Sequence, residues 1–253
     1  MSPAAESTRP RRKPTVLVTG ASRGIGRAIA ERLAGDGQHV IGVARSAGDT
    51  GGEFPGEFIA CDLADPGATQ MLAARLARDF EVDHLVNNAG INVVQPLAGL
   101  ERAAFDRVHQ VNVQAPLILA QALVPGMAAR GYGRIVNIAS RAMLGMVAHG
   151  AYAASKAALA AMGRCWALEY ARRGVTVNTI APGPFDTDLF ESVMPAADPR
   201  TAAYLDRIPV GRLGRPAEIA AAVAYLTGRD SGFITGQTLF ICGGLTVGLA
   251  ATA

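Results

Sequence analysis

Tyr152 and Lys156 stand four residues apart in the run Ala151-Tyr152-Ala153-Ala154-Ser155-Lys156. An α-helix repeats every 3.6 residues, so positions i and i+4 share a face and the spacing sets a phenol beside an ammonium. A free tyrosine, with a pKa near 10, is a poor base at neutral pH, but adjacent positive charge favours the phenolate and brings it toward a useful range. Such a pair suits proton exchange with a carbonyl or an alcohol. The same spacing also describes two residues on a solvated helix face, so its weight depends on the elements around it.

Those elements alternate. Seven apolar runs read as strands: Thr15 to Thr19, His39 to Val43, Phe58 to Cys61, His84 to Asn87, Arg134 to Ile138, Thr176 to Ile180 and Thr238 to Cys242. Helix-period segments lie between them, such as Ile25, Ala28, Ile29 and Leu33, ended by Gly35-Asp36-Gly37. The alternation predicts an α/β protein: a single doubly wound, Rossmann-type fold with a seven-stranded parallel sheet flanked by helices on both faces. No internal linker, repeat or low-complexity tract divides residues 15–253, which read as one domain. The connection from Arg45 to Glu57, with Gly48, Gly51, Gly52, Pro55 and Gly56, leaves little room for a helix. The segment from Phe185 to Pro209 is long and mixes Phe185, Leu189, Phe190, Val193 and Met194 with charges, as a substrate lid would.

Strand one runs through Thr19-Gly20-Ala21-Ser22-Arg23-Gly24-Ile25-Gly26 into a helix. Glycines there permit a tight turn and let a pyrophosphate approach the helix N-terminus, where free N–H groups and the dipole favour anions. The same residues spell Gly20-x-Ser22-x-Gly24, the pattern of a hydrolase nucleophile elbow. That reading needs an oxyanion-hole strand upstream, and only 19 residues, most of them tail, precede Gly20.

Asn88-Ala89-Gly90 follows the fourth strand, Ser140 follows the fifth, and Tyr152 and Lys156 lie on the next helix, all at carboxyl ends of strands, where open α/β sheets bind ligands. With Asn112 in Val111-Asn112-Val113 and Pro182-Gly183 after strand six, the set resembles the short-chain dehydrogenase/reductase family over essentially all of Pro14 to Val247. The resemblance implies hydride exchange between a nicotinamide dinucleotide and a carbonyl or alcohol. It makes Tyr152 the general acid/base and gives Ser140 a hydrogen bond to the substrate oxygen. Lys156 would lower the tyrosine pKa and hold the nicotinamide ribose, and Asn112 would keep a relay water in place. Asp62 and Leu63 match positions flanking the adenine; Phe185 and Thr187 match positions at the nicotinamide end. Taken singly, Ser140 is equally a turn or cap serine and Asn112 a helix-kink residue.

Cofactor choice is read where strand two ends. NAD sites usually carry Asp or Glu there, whereas this strand ends at Arg45, and Arg23 adds a second cation in the glycine loop. Two guanidinium groups favour a 2′-phosphate, hence NADP(H), with NAD(H) as the lesser alternative. Of four histidines, His39 and His84 begin strands, His109 sits in a helical segment, and His149, three residues before Tyr152, lines the pocket. Met143, Leu144, Met146 and Val147 suggest an apolar substrate wall or core. Two departures from the family pattern stand out. Cys242-Gly243-Gly244 replaces the common Asp-Gly-Gly. The stretch Ala128-Ala129-Arg130-Gly131-Tyr132-Gly133-Arg134-Ile135 lacks the dense basic cluster of fatty-acid-type oxoacyl reductases, which puts a carrier-protein partner in question.

Composition narrows the rest. The chain has 253 residues, half of them apolar, enough for a sizeable core. Its net charge of +3 resides in the first 14 residues, where Arg9, Arg11, Arg12 and Lys13 face only Glu6. A neutral body argues against a nucleic-acid platform. The Pro-containing tail of residues 1–14 reads as disordered, with neither a signal nor an anchor. The uncharged stretch Val108 to Ala129 is interrupted by polar residues and reads as a buried helix, not a membrane span. Cys61, Cys165 and Cys242, scattered and odd in number, favour reduced thiols in the cytoplasm over disulfides or a metal site. Val108 to Ala129, the apolar run Leu245 to Ala253 and the family resemblance together predict a homotetramer or homodimer. The expected function is an NAD(P)(H)-dependent oxidoreductase acting on a small, mostly apolar substrate. The alternatives are a 3-oxoacyl-thioester reductase and a dinucleotide-sensing protein without turnover, which would normally have lost the tyrosine or the lysine.

Overall fold

The structure, a computed structural model, describes residues 12–46, 53–187, 190–191, 195 and 199–248. Seven strands, β1 (Thr15–Thr19), β2 (His39–Ala44), β3 (Glu57–Ala60), β4 (Val82–Asn87), β5 (Gly133–Ile138), β6 (Val175–Pro182) and β7 (Thr238–Ile241), form one parallel sheet in the order β3-β2-β1-β4-β5-β6-β7. Each expected strand lies on an observed one. β4 starts two residues earlier than its hydrophobic run because Asp83, a charge, is paired inside the ladder end, and β6 runs on to Pro182.

Alternation along the buried strands separates the two cores. Val16, Val18, Val40, Val86, Val136 and Ile180 pack under α1 (Gly24–Gly35) and a late helix, here α7 (Pro216–Thr227). Leu17, Ile41, Leu85, Ile135 and Val177 face α2 (Pro66–Asp79), α4 (Ala115–Ala129) and α5 (Gly150–Tyr170). Fully burying a Leu or Ile contributes roughly 1.5–3 kcal/mol, so these two layers hold the sheet rigid beneath its carboxyl edge. α3 (Arg102–His109) continues through a π-helical turn, Gln110–Gln114, into α4. This run, Arg102–Ala129, is long and apolar enough by composition to cross a membrane, but over half of its most apolar window is buried inside the protein. Its hydropathy is that of a core helix: Leu119, Leu123 and Met127 pack on the sheet. A short helix, α6 (Pro199–Leu205), lies within the segment expected as a lid.

The N-terminal tail requires a correction. Residues 1–11 lie outside the described residues, but Arg12 belongs to the fold. Its guanidinium meets Asp83 at 2.8 Å and Glu81 at 2.8 Å, because the nearly buried Asp83 carboxylate needs a counter-ion. Pro14 then accepts the His39 N–H. Of the glycine-rich connection after β2, Gly48, Gly51 and Gly52 lie outside the described residues. Phe54 packs directly on Gly42, where any side chain would collide with its ring. Leu189, Val193 and Met194 of the lid, and residues 249–253 of the apolar C-terminal run, also lie outside the described residues.

Candidate active site

The strand order reverses between β1 and β4, and the crevice outside their carboxyl ends gathers the expected residues. On α5, Lys156 is almost wholly buried, and its Nζ donates to the Ile138 carbonyl at the end of β5, at 2.8 Å. A Cβ on Gly90 would lie 3.0 Å from the same Nζ, so the glycine leaves room for the ammonium. Nζ stands 5.8 Å from the Tyr152 ring centre. The Ser140 hydroxyl lies close enough to the Tyr152 phenol to draw its pKa down. Ser140 Oγ also accepts the Ala142 N–H at 3.1 Å, capping the 3₁₀ turn Arg141–Leu144. The turn-cap role and a place beside the tyrosine therefore coexist in one side chain.

Asn112 sits in the π-helical turn, a distortion frequent at functional sites. Its Oδ1 accepts the Ile91 N–H at 2.9 Å, and its Nδ2 donates to the Ile91 carbonyl at 3.0 Å and to Ser155 Oγ at 2.9 Å. Ser155 in turn donates to the Tyr152 carbonyl at 2.7 Å. Asn112 is thus a brace between the loop after β4 and the tyrosine helix; of its side chain only the second lone pair of Oδ1 is left for a water.

The electrostatics differ from the expectation that Lys156 lowers the tyrosine pKa. Burial pushes the Tyr152 phenol up, and the Ser140 hydroxyl pulls it only part of the way back. Burial also lowers Lys156 from an ordinary 10.5 to about 8. Desolvation penalises both charged forms, so the resting site holds a neutral phenol. A protonated Lys156 still favours the phenolate once charge develops.

The glycine loop closes on β4. Asn88 Nδ2 donates to the carbonyls of Thr19 (2.9 Å) and Gly20 (3.2 Å), and Thr19 Oγ1 accepts the N–H groups of Asn88 and Ala89, both at 3.0 Å. Gly20 has φ +66°, and a Cβ there would lie 2.9 Å from Ala89 Cα; one on Gly26 would overlap the Gly20 carbonyl. The loop is therefore pinned from behind, while Ser22, Arg23, Gly24 and Ile25 frame the open N-terminus of α1. That shape fits a pyrophosphate on helix N–H groups. Gly20 also donates to the Val43 carbonyl at 2.7 Å, which places the loop beside the end of β2, where Arg45 follows; Arg23 and Arg45 are both exposed.

The remaining expected residues divide. Asp62 is exposed and caps its own turn through Ala64, whereas Leu63 is buried in the core. Pro182 and Gly183 end β6, with Gly183 against Cys242. Thr187 lies 3.7 Å from where a Cβ on Gly24 would stand, next to the phosphate-binding shape. The Phe185 ring is buried in the core against Gly214. His149 is buried at the start of α5, with Nδ1 2.7 Å from the Val147 carbonyl. Leu144, Met146 and Val147 are exposed, a rim and not core. The sequence reading missed Thr19 and Ser155, although both lie inside the quoted motifs.

Comparison with known proteins gives the family and the fold. The family described as enoyl-(acyl carrier protein) reductase matches residues 20–246. The 3-oxoacyl-[acyl-carrier-protein] reductase FabG of Escherichia coli (strain K12) is 38% identical over 240 residues, covering 90% of this chain and 96% of that protein. A crystal structure of a 3-oxoacyl (acyl-carrier-protein) reductase from Agrobacterium tumefaciens C58 with NADP bound superimposes with a TM-score of 0.85 at 37% identity, covering 92% of this chain and 94% of that one. A 4-hydroxyisoleucine dehydrogenase complexed with NADH gives a TM-score of 0.87 at 29% identity, covering 93% and 100%.

The lowered Lys156 pKa carries a stability consequence. The unfolded chain binds more protons than the folded one between about pH 8 and 10.5, so stability rises with pH across that window. Below it the burial cost is fully present, up to about 3 kcal/mol at about 1.4 kcal/mol per unit. In urea unfolding of the cofactor-free protein, the stability of Lys156→Met relative to wild type should fall as pH rises from 8 to 10.5. A pH-independent difference would show that no such cost exists.

Proposed function

Because the chain belongs to the short-chain dehydrogenase/reductase family, we propose that it is an NADP(H)-preferring oxidoreductase interconverting a ketone and a secondary alcohol on a small, mostly apolar substrate. The observation that carries the reading is the convergence of Ser140, Tyr152 and the buried Lys156 beside the glycine loop. The matched family is described by a C=C reductase and the relatives by C=O chemistry; a serine hydroxyl beside a phenol, two donors for one oxygen, favours the carbonyl. When bound, the nicotinamide supplies or accepts the hydride. Tyr152, held neutral by burial, gives its proton to the carbonyl oxygen as charge develops there, and Ser140 stabilises the same oxygen. Lys156 stabilises the phenolate left behind and offers its remaining donors to the ribose. Asn112 keeps the tyrosine helix and the Ile91 loop in register and holds the relay water. In the reverse direction Tyr152 takes the alcohol proton.

Gly20, Ser22, Arg23, Gly24, Ile25 and Gly26 would hold the pyrophosphate, and Arg23 with Arg45 the 2′-phosphate. Asp62 and Leu63 would flank the adenine. Asn88, Ala89, Gly90, Pro182, Gly183, the Phe185 backbone and Thr187 would line the rest of the dinucleotide. NAD(H) remains usable because its free ribose hydroxyls need no charge. A free small molecule is favoured over a carrier-protein substrate: Arg130 is turned onto the Val82 carbonyl and Asp83, and Arg134 is buried on the Gly133 carbonyl, so neither is a docking cation. A cytoplasmic location is supported by three free cysteines. A homotetramer or homodimer is supported by the edge position of β7 and by exposed Tyr225, Phe233 and Leu239 near it.

Screening carbonyls and alcohols with both cofactors tests the activity; consumption of neither cofactor across a broad panel would refute it. Arg45→Asp should move the kcat/KM ratio from NADPH toward NADH by at least about tenfold, roughly 1.4 kcal/mol. A wild type that already prefers NADH would contradict the two-arginine argument. Sedimentation should give a multiple of the single-chain mass at micromolar concentration; a monomer would dismiss the assembly.

A further inference from the structure

Arg141 directly follows Ser140 and opens the turn that Ser140 caps. Its partly buried guanidinium leaves its own loop and donates through Nη2 to the Tyr204 hydroxyl on α6, at 3.1 Å. Tyr204 packs against Phe190 with ring centres 6.0 Å apart. The chain carrying both leaves the crevice at Thr187, beside Gly24, and returns at Val210, whose N–H meets the Gly243 carbonyl after β7. The guanidinium is therefore held between the serine loop and α6.

Among the described residues no carboxylate pairs with Arg141, whereas Arg27, Arg102 and Arg212 each hold one and Arg12 holds two. A guanidinium has five donors, and a phenol takes one of them. Leu144, Met146 and Val147, on the same loop, offer no side-chain acceptor. A cation withdrawn partly from water, with donors left over and a hydroxyl already aligned beside it, matches the planar two-oxygen geometry of a carboxylate.

We infer that Arg141 and Tyr204 bind a carboxylate on the substrate, so that the molecule reacting at Tyr152 is a short oxo or hydroxy acid. This rests on the oxidoreductase reading. Arg141 follows Ser140 in the chain and the short turn Arg141–Leu144 carries both, so one loop presents the serine and the guanidinium. The rim of Leu144, Met146 and Val147 covers its apolar part.

The test pairs 3-oxobutanoate, 4-oxopentanoate and 5-oxohexanoate with their methyl esters under saturating NADPH. At least one acid should exceed its ester in kcat/KM by about tenfold or more. Arg141→Ala should lower that value by about fiftyfold, as expected for a charge-assisted contact, and leave the ester within about threefold. Arg141→Lys should recover part of the loss. Calorimetric titration of the same acids into the NADP⁺-bound protein supplies a readout without turnover: wild type should bind at least one, and Arg141→Ala none. Acids no better than esters, or equal losses for both in Arg141→Ala, would overturn the inference and leave Arg141 a lid contact. Absence of acid binding to wild type would also overturn it. Arginine-dependent acid binding without turnover of any acid or ester would instead count against the oxidoreductase reading and leave the carboxylate site standing.

Discussion

The ammonium of Lys156 has to sit inside the protein, and much of the site follows from that constraint. Its hydrogen bond to the Ile138 carbonyl fixes where α5 crosses the end of β5, and with it the position of Tyr152 one turn earlier. Gly90 must lack a side chain because the ammonium occupies the space one would need. Asn112 and Ser155 supply the polar scaffold around it, at the cost of a π-helical turn that interrupts a long core helix. Burial lowers the lysine toward the point where it can exchange a proton, while the same burial keeps the phenol neutral.

Several residues carry a structural and a chemical duty together. Ser140 caps a turn and lies beside the tyrosine, whose pKa it draws down. Asn88 stitches the glycine loop to β4 and thereby leaves the N-terminus of α1 free for an anion. Such overlap explains why the separate readings of these residues were never true alternatives: a group that must be held to within a fraction of an ångström is best held by contacts that also stabilise the fold.

Much of this was legible in the sequence. Strand periodicity is a local property, and all seven strands lay where the apolar runs placed them. The glycine loop, Asn88, Ser140, Tyr152 and Lys156 were found because each follows a strand end, which the order of elements alone locates. What escaped depends on residues distant in the chain. The direction of the Tyr152 shift reflects how deeply two groups are buried together. The ring of Phe185 turned into the core because Gly214, 29 positions later, leaves a slot for it. Arg12 left the expected tail because Asp83, 71 positions on, required a cation. Thr19 and Ser155 were passed over because their partners, Asn88 and Asn112, are adjacent only in space.

The central claim, that the Tyr152 hydroxyl moves the proton while the rest of the site only positions and tunes it, is tested most directly by single-turnover hydride transfer in Tyr152→Phe. NADPH oxidation would be followed with the best carbonyl substrate, alongside NADPH affinity measured by fluorescence. The rate should fall by about a hundredfold or more with affinity within about threefold of wild type, since the ring and the Lys156 contacts remain. A rate within about tenfold of wild type at unchanged affinity would contradict it.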